Sequence, residues 1–341
     1  MMVHDVKKVL IAGGTGFLGY HAALKFLSEG VKVDAVALPR EIDLSGWYPE
    51  EIGIRFGDLF AMSEDEVAAL CSGQGYDTFV YALGPDDRVV PKAPAAAFFR
   101  DKLVVQSEKI VRAARRAGIA RAVVLNSYFT HFDRLKDGVL AAHHPYVRAR
   151  VEQEETLRRL GIAGVFDVMF LELPFIFGTM PGRLPLWKEF FLDAFAKYPA
   201  AFLPKGGITA CIDVSGVAEA IVAAARNGAN GRGYPIGREN LSYREILELM
   251  LEAVGAKKKV FAIPAWIAAI GGRAIDRNYR RQGREAGLDH GKLMGDILAQ
   301  DFSIDFGRLS CDLDYPGLGY AGGRDVRESI RATMAVFRQA K

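Results

Sequence analysis

One stretch near the start of the chain, Val9-Leu-Ile-Ala-Gly-Gly-Thr-Gly-Phe-Leu-Gly-Tyr20, limits what the rest can fold into. Val9 to Ala12 are apolar and have the pattern of a buried parallel strand. A glycine-rich turn follows at once, and from Phe17 to Leu27 apolar residues recur at helical spacing. Gly13 permits the tight turn. Gly16 lets a diphosphate approach the backbone at the helix N-terminus, where free N–H groups and the helix dipole favour an anion. Gly19 lets the helix pack closely on the strand. Strand, turn and helix in this order form the phosphate-binding end of a Rossmann unit.

The chain of 341 residues is long enough for two domains, or for one large domain with a lobe. A hydrophobic share of 50% and a charged share of 25% fit a globular protein. A net charge of +3 is too small to argue for a nucleic-acid partner. Cys71, Cys211 and Cys311 lie far apart and form no CxxC pair, which argues against a metal site or a disulfide framework. This usage fits a reducing, cytoplasmic setting. No signal peptide and no integral membrane segment are expected, since the apolar run Val260 to Ile270 is interrupted by Pro264.

The form Gly13-Gly-Thr-Gly-Phe-Leu-Gly19 resembles the extended and atypical short-chain dehydrogenase/reductases, the group that includes the NAD-dependent epimerase/dehydratase family. The resemblance implies an α/β fold: a doubly wound parallel sheet with a smaller C-terminal substrate lobe. It places the nucleotide-binding domain at 1–178, with about 208–240 returning to it. The substrate lobe would be 179–207 and 241–341. It also implies a nicotinamide dinucleotide held at Gly13, Thr15, Gly16, Phe17, Leu18 and Gly19.

Further positions extend the resemblance. Lys32 to Leu38 have a strand pattern, and the end of this strand distinguishes the two nicotinamide cofactors. Ala37 or Leu38 stands where an acid would bind the NAD ribose, and Arg40 follows, suited to a 2′-phosphate. This favours NADP, with NAD the alternative, since Glu41 and Asp43 lie close by. Ile54-Arg-Phe-Gly-Asp-Leu59 resembles the third strand of the family, with Asp58 and Leu59 at the adenine; Asp58 could instead cap the turn. Ser63 with Glu66 forms a capping box. Asp77 to Gly84 contain strand four and its exit, and Ala82, Leu83 and Gly84 would pass under the cofactor ribose. A long helix is expected from about Ala95 to Ala117, without the asparagine that the family often carries early in it.

Arg121 to Ser127 have the pattern of strand five, with Asn126 at the cofactor and Ser127 where the family's catalytic serine sits. Pro145-Tyr-Val-Arg-Ala-Arg-Val-Glu152 resembles the family's YxxxK helix, with Arg150 in place of lysine. Tyr146 would move a proton to or from the substrate oxygen. Arg150, one turn along, would hold the ribose hydroxyls and lower the tyrosine pKa. A guanidinium does not readily give up a proton, so the usual relay is interrupted. His131, His143 and His144 lie in the intervening segment as solvated residues or as an alternative acid/base.

Val165 to Leu171 form the expected strand six. Glu172-Leu-Pro-Phe-Ile-Phe-Gly178 then resembles the segment that passes the nicotinamide, with Pro174 and Ile176 at the cofactor. Glu172 replaces an arginine and Phe177 a tyrosine. Phe175 replaces the asparagine that helps nucleotide-sugar enzymes hold their substrate. Leu186 to Tyr198 have the pattern of an aromatic amphipathic helix, suited to core or to a partly apolar substrate. Ala210 to Ala220 contain Asp213 as a helix cap, and Ser242 with Glu245 forms a second capping box. Phe261 to Ile270 would start an apolar helix. The arginines at 273, 277, 280, 281 and 284 follow, suited to a solvated face, a membrane surface or a substrate phosphate.

The expected function is an NADP-linked oxidoreductase passing hydride between nicotinamide and a carbonyl or hydroxyl of a partly apolar small molecule. A nucleotide-sugar epimerase or dehydratase, and a nucleotide-binding regulatory protein without turnover, are the alternatives. A homodimer is compatible with each.

Overall fold

Seven parallel strands carry the chain past its glycine turn. Among the residues that the computed structural model describes (4–38, 44–188, 193, 198–308, 313 and 323–339), they form one sheet. Its order is β3 (Gly53–Phe56), β2 (Lys32–Ala37), β1 (Lys8–Ala12), β4 (Thr78–Tyr81), β5 (Arg121–Ser127), β6 (Asp167–Leu173) and β10 (Gly233–Pro235). Every pairing is parallel. Apolar residues fill β1 and β4 because helices cover both faces. On one face lie α1 (Phe17–Ser28) and, packed against it, the alanine-rich α8 (Val214–Asn227). On the other, α2 (Glu64–Cys71) packs against α4 (Gln106–Arg116). The strand order reverses between β1 and β4, so the crevice at their carboxyl ends is where a doubly wound sheet binds ligands.

The helix expected from Ala95 is present as α3 (Ala95–Phe99), a π-helical turn (Arg100–Val105) and α4. The segment between Ser127 and Tyr146 is mostly helical rather than a loop, with α5 (Phe129–Leu135) and α6 (Val139–His143) leading into α7 (Pro145–Arg158). Strand six runs two residues further than the apolar pattern suggests, through Glu172 and Leu173, because Glu172 finds buried partners.

A second, smaller sheet is centred on β9 (Ile208–Asp213). It pairs with β7 (Phe175–Phe177), β11 (Glu239–Ser242) and β13 (Asp301–Phe302). β8 (Ala200–Pro204) pairs in parallel with β12 (Lys259–Ile263). The expected apolar helix from Phe261 is thus corrected. Val260 points in and Phe261 out, as in a strand, and helix α10 (Ala265–Arg281) begins only after Pro264. Helix α9 (Tyr243–Ala253) packs on α12 (Val326–Gln339).

After α10, residues 283–289 are tied to the main domain. Ala93 N–H donates to the Gly283 carbonyl at 3.0 Å, and Tyr146 N–H to that of Gly287 at 2.9 Å. Ala95 N–H donates to Glu285 Oε2 at 2.7 Å. Helix α11 (His290–Asp296) then adds His143 Nδ1 against Asp296 Oδ2 at 2.6 Å. No helix among the described residues is long and apolar enough to cross a membrane.

Candidate active site

The glycine turn shows why its residues must be small. Gly13 has φ +85°, and a Cβ there would meet the Ala82 carbonyl oxygen at 2.6 Å. A Cβ on Gly19 would lie 2.2 Å from the Gly13 oxygen, so Gly19 is the close helix contact. At Gly16 the same test gives 3.1 Å, a looser fit. Gly16 caps α1 without a side chain, and the first turn carries no acidic residue. Thr15, Gly16, Phe17 and Leu18 are half-buried around this open helix end, which suits a diphosphate. Tyr48 donates to the Gly14 carbonyl at 3.1 Å and steadies the turn.

At the adenine end, Asp58 is exposed and caps its own turn: Oδ1 accepts from Phe60 N–H at 3.0 Å and from Ala61 N–H at 3.3 Å. Leu59 is buried beneath it. Arg40, with Glu41 and Asp43, lies outside the described residues. Ala82 and Leu83 are half-buried and Gly84 is exposed with φ +113°, so the strand-four exit runs along the crevice.

Tyr146 and Arg150 share one face of α7, as their spacing requires. Arg150 Nε donates to the Tyr146 hydroxyl oxygen at 3.0 Å. Its Nη1 donates to the Leu125 carbonyl at 3.3 Å and to Gln153 Oε1 at 3.0 Å, and its Nη2 to the Pro85 carbonyl at 3.4 Å. Four of its five N–H groups thus have acceptors, and one Nη2 N–H has none among the described residues. Arg150 is therefore chiefly a clamp joining β5, the β4 exit and Tyr146.

Arg150 acts on the tyrosine pKa in the expected direction, but burial outweighs it. Burial pushes the Tyr146 phenol up, the Arg150 charge opposes this, and the net shift is upward from 10. Ser127 Oγ accepts from Phe129 N–H at 3.3 Å, and its own O–H has no acceptor among the described residues.

Asn126 is engaged elsewhere. Its Nδ2 donates to the Arg150 carbonyl at 3.2 Å and to Glu154 Oε2 at 3.4 Å, while Oδ1 accepts from Ser127 N–H at 2.7 Å. Here the asparagine ties α7 to β5. Glu172 joins the same buried network. It accepts from Thr130 Oγ1 at 3.0 Å and from Arg134, which also bonds Glu154 Oε1 at 3.2 Å. His131 lies 3.9 Å from Glu172 Oε2, and burial pushes its pKa down to about 4. His144 is fully buried, accepts from Asp289 N–H at 3.1 Å, and is likewise pushed down to about 4 by burial. These two histidines hold elements together.

Residues that sequence reasoning passed over also border the site. After Gly84, Arg88 bonds Asp86, with Nε to Oδ2 at 2.9 Å, and lies 5.5 Å over the Trp187 ring. Asp87 is half-buried, and its charge is felt by Tyr146, Arg150 and Tyr243. Burial and the neighbouring Asp86 push its carboxyl up to about 6.

Rings cluster beside β7. Phe175 packs edge-on against Trp187 at 5.1 Å and Tyr243 at 5.7 Å, and Phe177 stacks on Trp187 at 4.8 Å. Trp187 Nε1 donates to the Ile176 carbonyl at 2.8 Å, and Pro174 is buried. Much of the aromatic segment at 186–198 lies outside the described residues. Among those described, no group of three or more His, Cys, Asp or Glu could hold a metal.

Comparisons with known proteins bear on the fold and the family. No curated protein matches the chain. A solved structure of the protein gox2253 is similar over 99% of both chains, with TM-score 0.74 and 20% identity. A UDP-glucose-4-epimerase from Stenotrophomonas maltophila, with bound NAD and formylated UDP-arabinopyranose, is similar over 98% of both chains, with TM-score 0.66 and 16% identity. A dTDP-glucose 4,6-dehydratase from Streptomyces venezuelae, with NAD and TYD bound, covers 97% of both chains, with TM-score 0.65 and 16% identity. These likenesses concern the fold. The family model for the NAD dependent epimerase/dehydratase family matches residues 9–237, and the chain belongs to that family.

Proposed function

We propose that the protein is a nicotinamide-dinucleotide-dependent oxidoreductase that reduces a carbonyl group of a neutral, partly apolar small molecule. The observation that carries this reading is the Arg150–Tyr146 bond. Because the guanidinium can only donate, the phenol oxygen is its acceptor, and the phenol's own proton is left for a substrate oxygen. The raised pKa keeps that proton on Tyr146 at neutral pH, which suits a proton donor better than a base.

The chain fits a dinucleotide at the small residues Gly13 and Gly19, at the open N-terminus of α1, and at the Arg150 N–H that has no acceptor among the described residues. A bound nicotinamide supplies or accepts hydride. Tyr146 gives a proton to the substrate oxygen, and Ser127 O–H orients that oxygen by a hydrogen bond. The preference for NADP rests on Arg40 and on the lack of an acid at Ala37 or Leu38. In this proposal the residues 179–207 and 241–341 form the substrate lobe, with the half-buried Phe175 and Trp187 on its apolar side.

A second reading, nucleotide-sugar epimerase or dehydratase, is supported by the UDP-sugar and dTDP-sugar enzymes of similar fold. Phe175 and the acid Asp87 favour the first, since a ring and a second negative charge suit a sugar diphosphate poorly. The test is a titration with NADPH and NADH followed by nicotinamide fluorescence, then NADPH consumption over panels of apolar carbonyls and of UDP- and dTDP-sugars. Tight NADPH binding with turnover on apolar carbonyls is expected. A melting temperature raised by a nucleoside diphosphate would move the reading to the second. Binding without turnover on either panel would leave a nucleotide-binding regulator, and no binding of either nucleotide would overturn all three.

A further inference from the structure

Helix α10 is inside out for a surface helix. Its buried residues are the small Ala269 and Gly272, and a Cβ on Gly272 would meet the His290 carbonyl oxygen at 2.2 Å. Its large apolar side chains face solvent instead: Trp266 is 69% exposed, Ile270 59%, with Ile267 and Ile275 also exposed. A surface helix ordinarily buries such residues and shows its polar ones. At 100° per residue Trp266, Ile270, Arg277 and Arg281 fall along one stripe, apolar in the first half and cationic in the second. The helix also contacts β8, whose pairing with β12 exposes two more rings. Phe202 on β8 and Phe261 on β12 stack at 5.8 Å, and both are exposed.

The charge is one-sided. Residues 257–284 hold three lysines, five arginines and a single acid, Asp276, whereas the whole chain carries only +3. The remainder is therefore net acidic. Asp276 does not offset the cations toward solvent, since its carboxylate bonds His290 Nδ1 at 2.7 Å and Gly291 N–H at 3.0 Å.

We propose that this face docks on an anionic lipid surface, with α10 lying in the headgroup plane, Trp266, Ile270 and the phenylalanine pair inserted, and Arg277 and Arg281 on lipid phosphates. Exposed tryptophan and isoleucine beside clustered arginine is the chemistry of an interfacial helix. At 17 residues the helix is about 25 Å long, enough to lie along the surface and too short and charged to span. Charge favours lipid over a second copy, because an anionic surface meets the arginines as well as the rings, whereas a two-fold contact centred on the rings leaves the arginines without partners. The apolar half has no counterpart on a nucleic-acid backbone.

Co-sedimentation with vesicles tests this, using phosphatidylcholine alone and an equal mixture with phosphatidylglycerol. Wild type should sediment with the mixed vesicles only, less so as salt rises. The pair Trp266→Ser and Ile270→Ser should abolish sedimentation while melting like wild type. The pair Arg277→Gln and Arg281→Gln should weaken partition by about thirtyfold.

The proposal is overturned if wild type stays in solution with mixed vesicles, or if both double variants sediment like wild type. It is also overturned if sedimentation equilibrium without lipid shows a dimer that the Trp266/Ile270 pair dissociates, which would assign the face to a second copy. Binding of a polyglutamate peptide as tightly as the vesicles would assign it to an acidic protein instead.

Discussion

The Arg150 guanidinium donates to the Tyr146 hydroxyl oxygen at 3.0 Å and, in the same plane of donors, to the carbonyls of Leu125 and Pro85. One side chain thus orients the phenol and fixes the strand-four exit. A lysine reaches fewer of these acceptors, because its ammonium is a point with three donors rather than a fork. Arg150→Lys is expected to lower stability by about 1–3 kcal/mol through the buried acceptors it leaves. Denaturant unfolding would measure this.

Removing the phenol oxygen should act mainly on chemistry, with a stability cost of about 1–3 kcal/mol for the Arg150 Nε–H it leaves unpaired. Tyr146→Phe keeps the ring against Phe99, which packs at 5.5 Å, so the fold should persist. Turnover should fall by about 100- to 10,000-fold, with nucleotide affinity little changed. Single-turnover kinetics beside a nicotinamide fluorescence titration separates the two. Unchanged turnover in a folded variant would remove Tyr146 from the mechanism.

Asp87 supplies a pH dependence. Burial and Asp86 raise its carboxyl to about 6, so it ionises as pH rises through that value. The new anion raises the Tyr146 pKa further and makes the phenol a weaker acid. In the reductive direction kcat/KM should step down near pH 6 in wild type, and Asp87→Asn should flatten the step. A pH–rate profile with an identical step in both proteins would count against this assignment.

The glycine turn separates packing from ligand approach. Gly19→Ala places a Cβ 2.2 Å from the Gly13 oxygen, between two backbones that cannot yield cheaply. It should cost about 1–3 kcal/mol of stability and weaken nucleotide binding. Gly16→Ala meets the same oxygen at 3.1 Å and should spare the fold more than the binding. Melting curves with and without NADPH distinguish the two effects.

Much of this was legible in the sequence wherever the cause is local. The capping boxes at Ser63–Glu66 and Ser242–Glu245 form as their spacing predicts, and Asp213 accepts from Ser215 N–H at the head of α8. The strand at Arg121–Ser127 and the Tyr146–Arg150 face follow from period and apolar runs. What escaped depends on neighbours far along the chain. Asn126 stands at the crevice end of its strand, yet Glu154 and the Arg150 backbone take its amide. His144 lacked a sequence partner because Asp289 lies 145 residues on. Asp87 did leave a signal: two acids and an arginine directly after the exit of a central strand, at the carboxyl edge where ligands bind.

Glu172 gives the last prediction, and it concerns stability. Its carboxyl is fully buried beside Glu154, and both accept from Arg134. Burial first, and then the Glu154 charge, push its pKa up to about 7, while Arg134 and Thr130 pull the other way. The folded protein therefore keeps a proton that the unfolded chain releases near its ordinary value of 4.5. Stability from this group is complete below about 4.5 and is lost as pH rises through about 7. Asp87, raised to about 6, adds a decline of the same sign in the lower part of that window. Glu172→Gln removes the larger contribution, since a neutral amide can still accept from Arg134 and Thr130 and can donate to Glu154. Its melting temperature should match wild type in the acidic range and exceed it above about pH 7, with the difference growing between about 4.5 and 7. The wild-type curve alone does not decide this, because His131 and His144, pushed down to about 4, make stability rise over the same range; a wild-type-minus-variant difference that stays constant from about pH 4.5 to 7 would contradict the protonated Glu172.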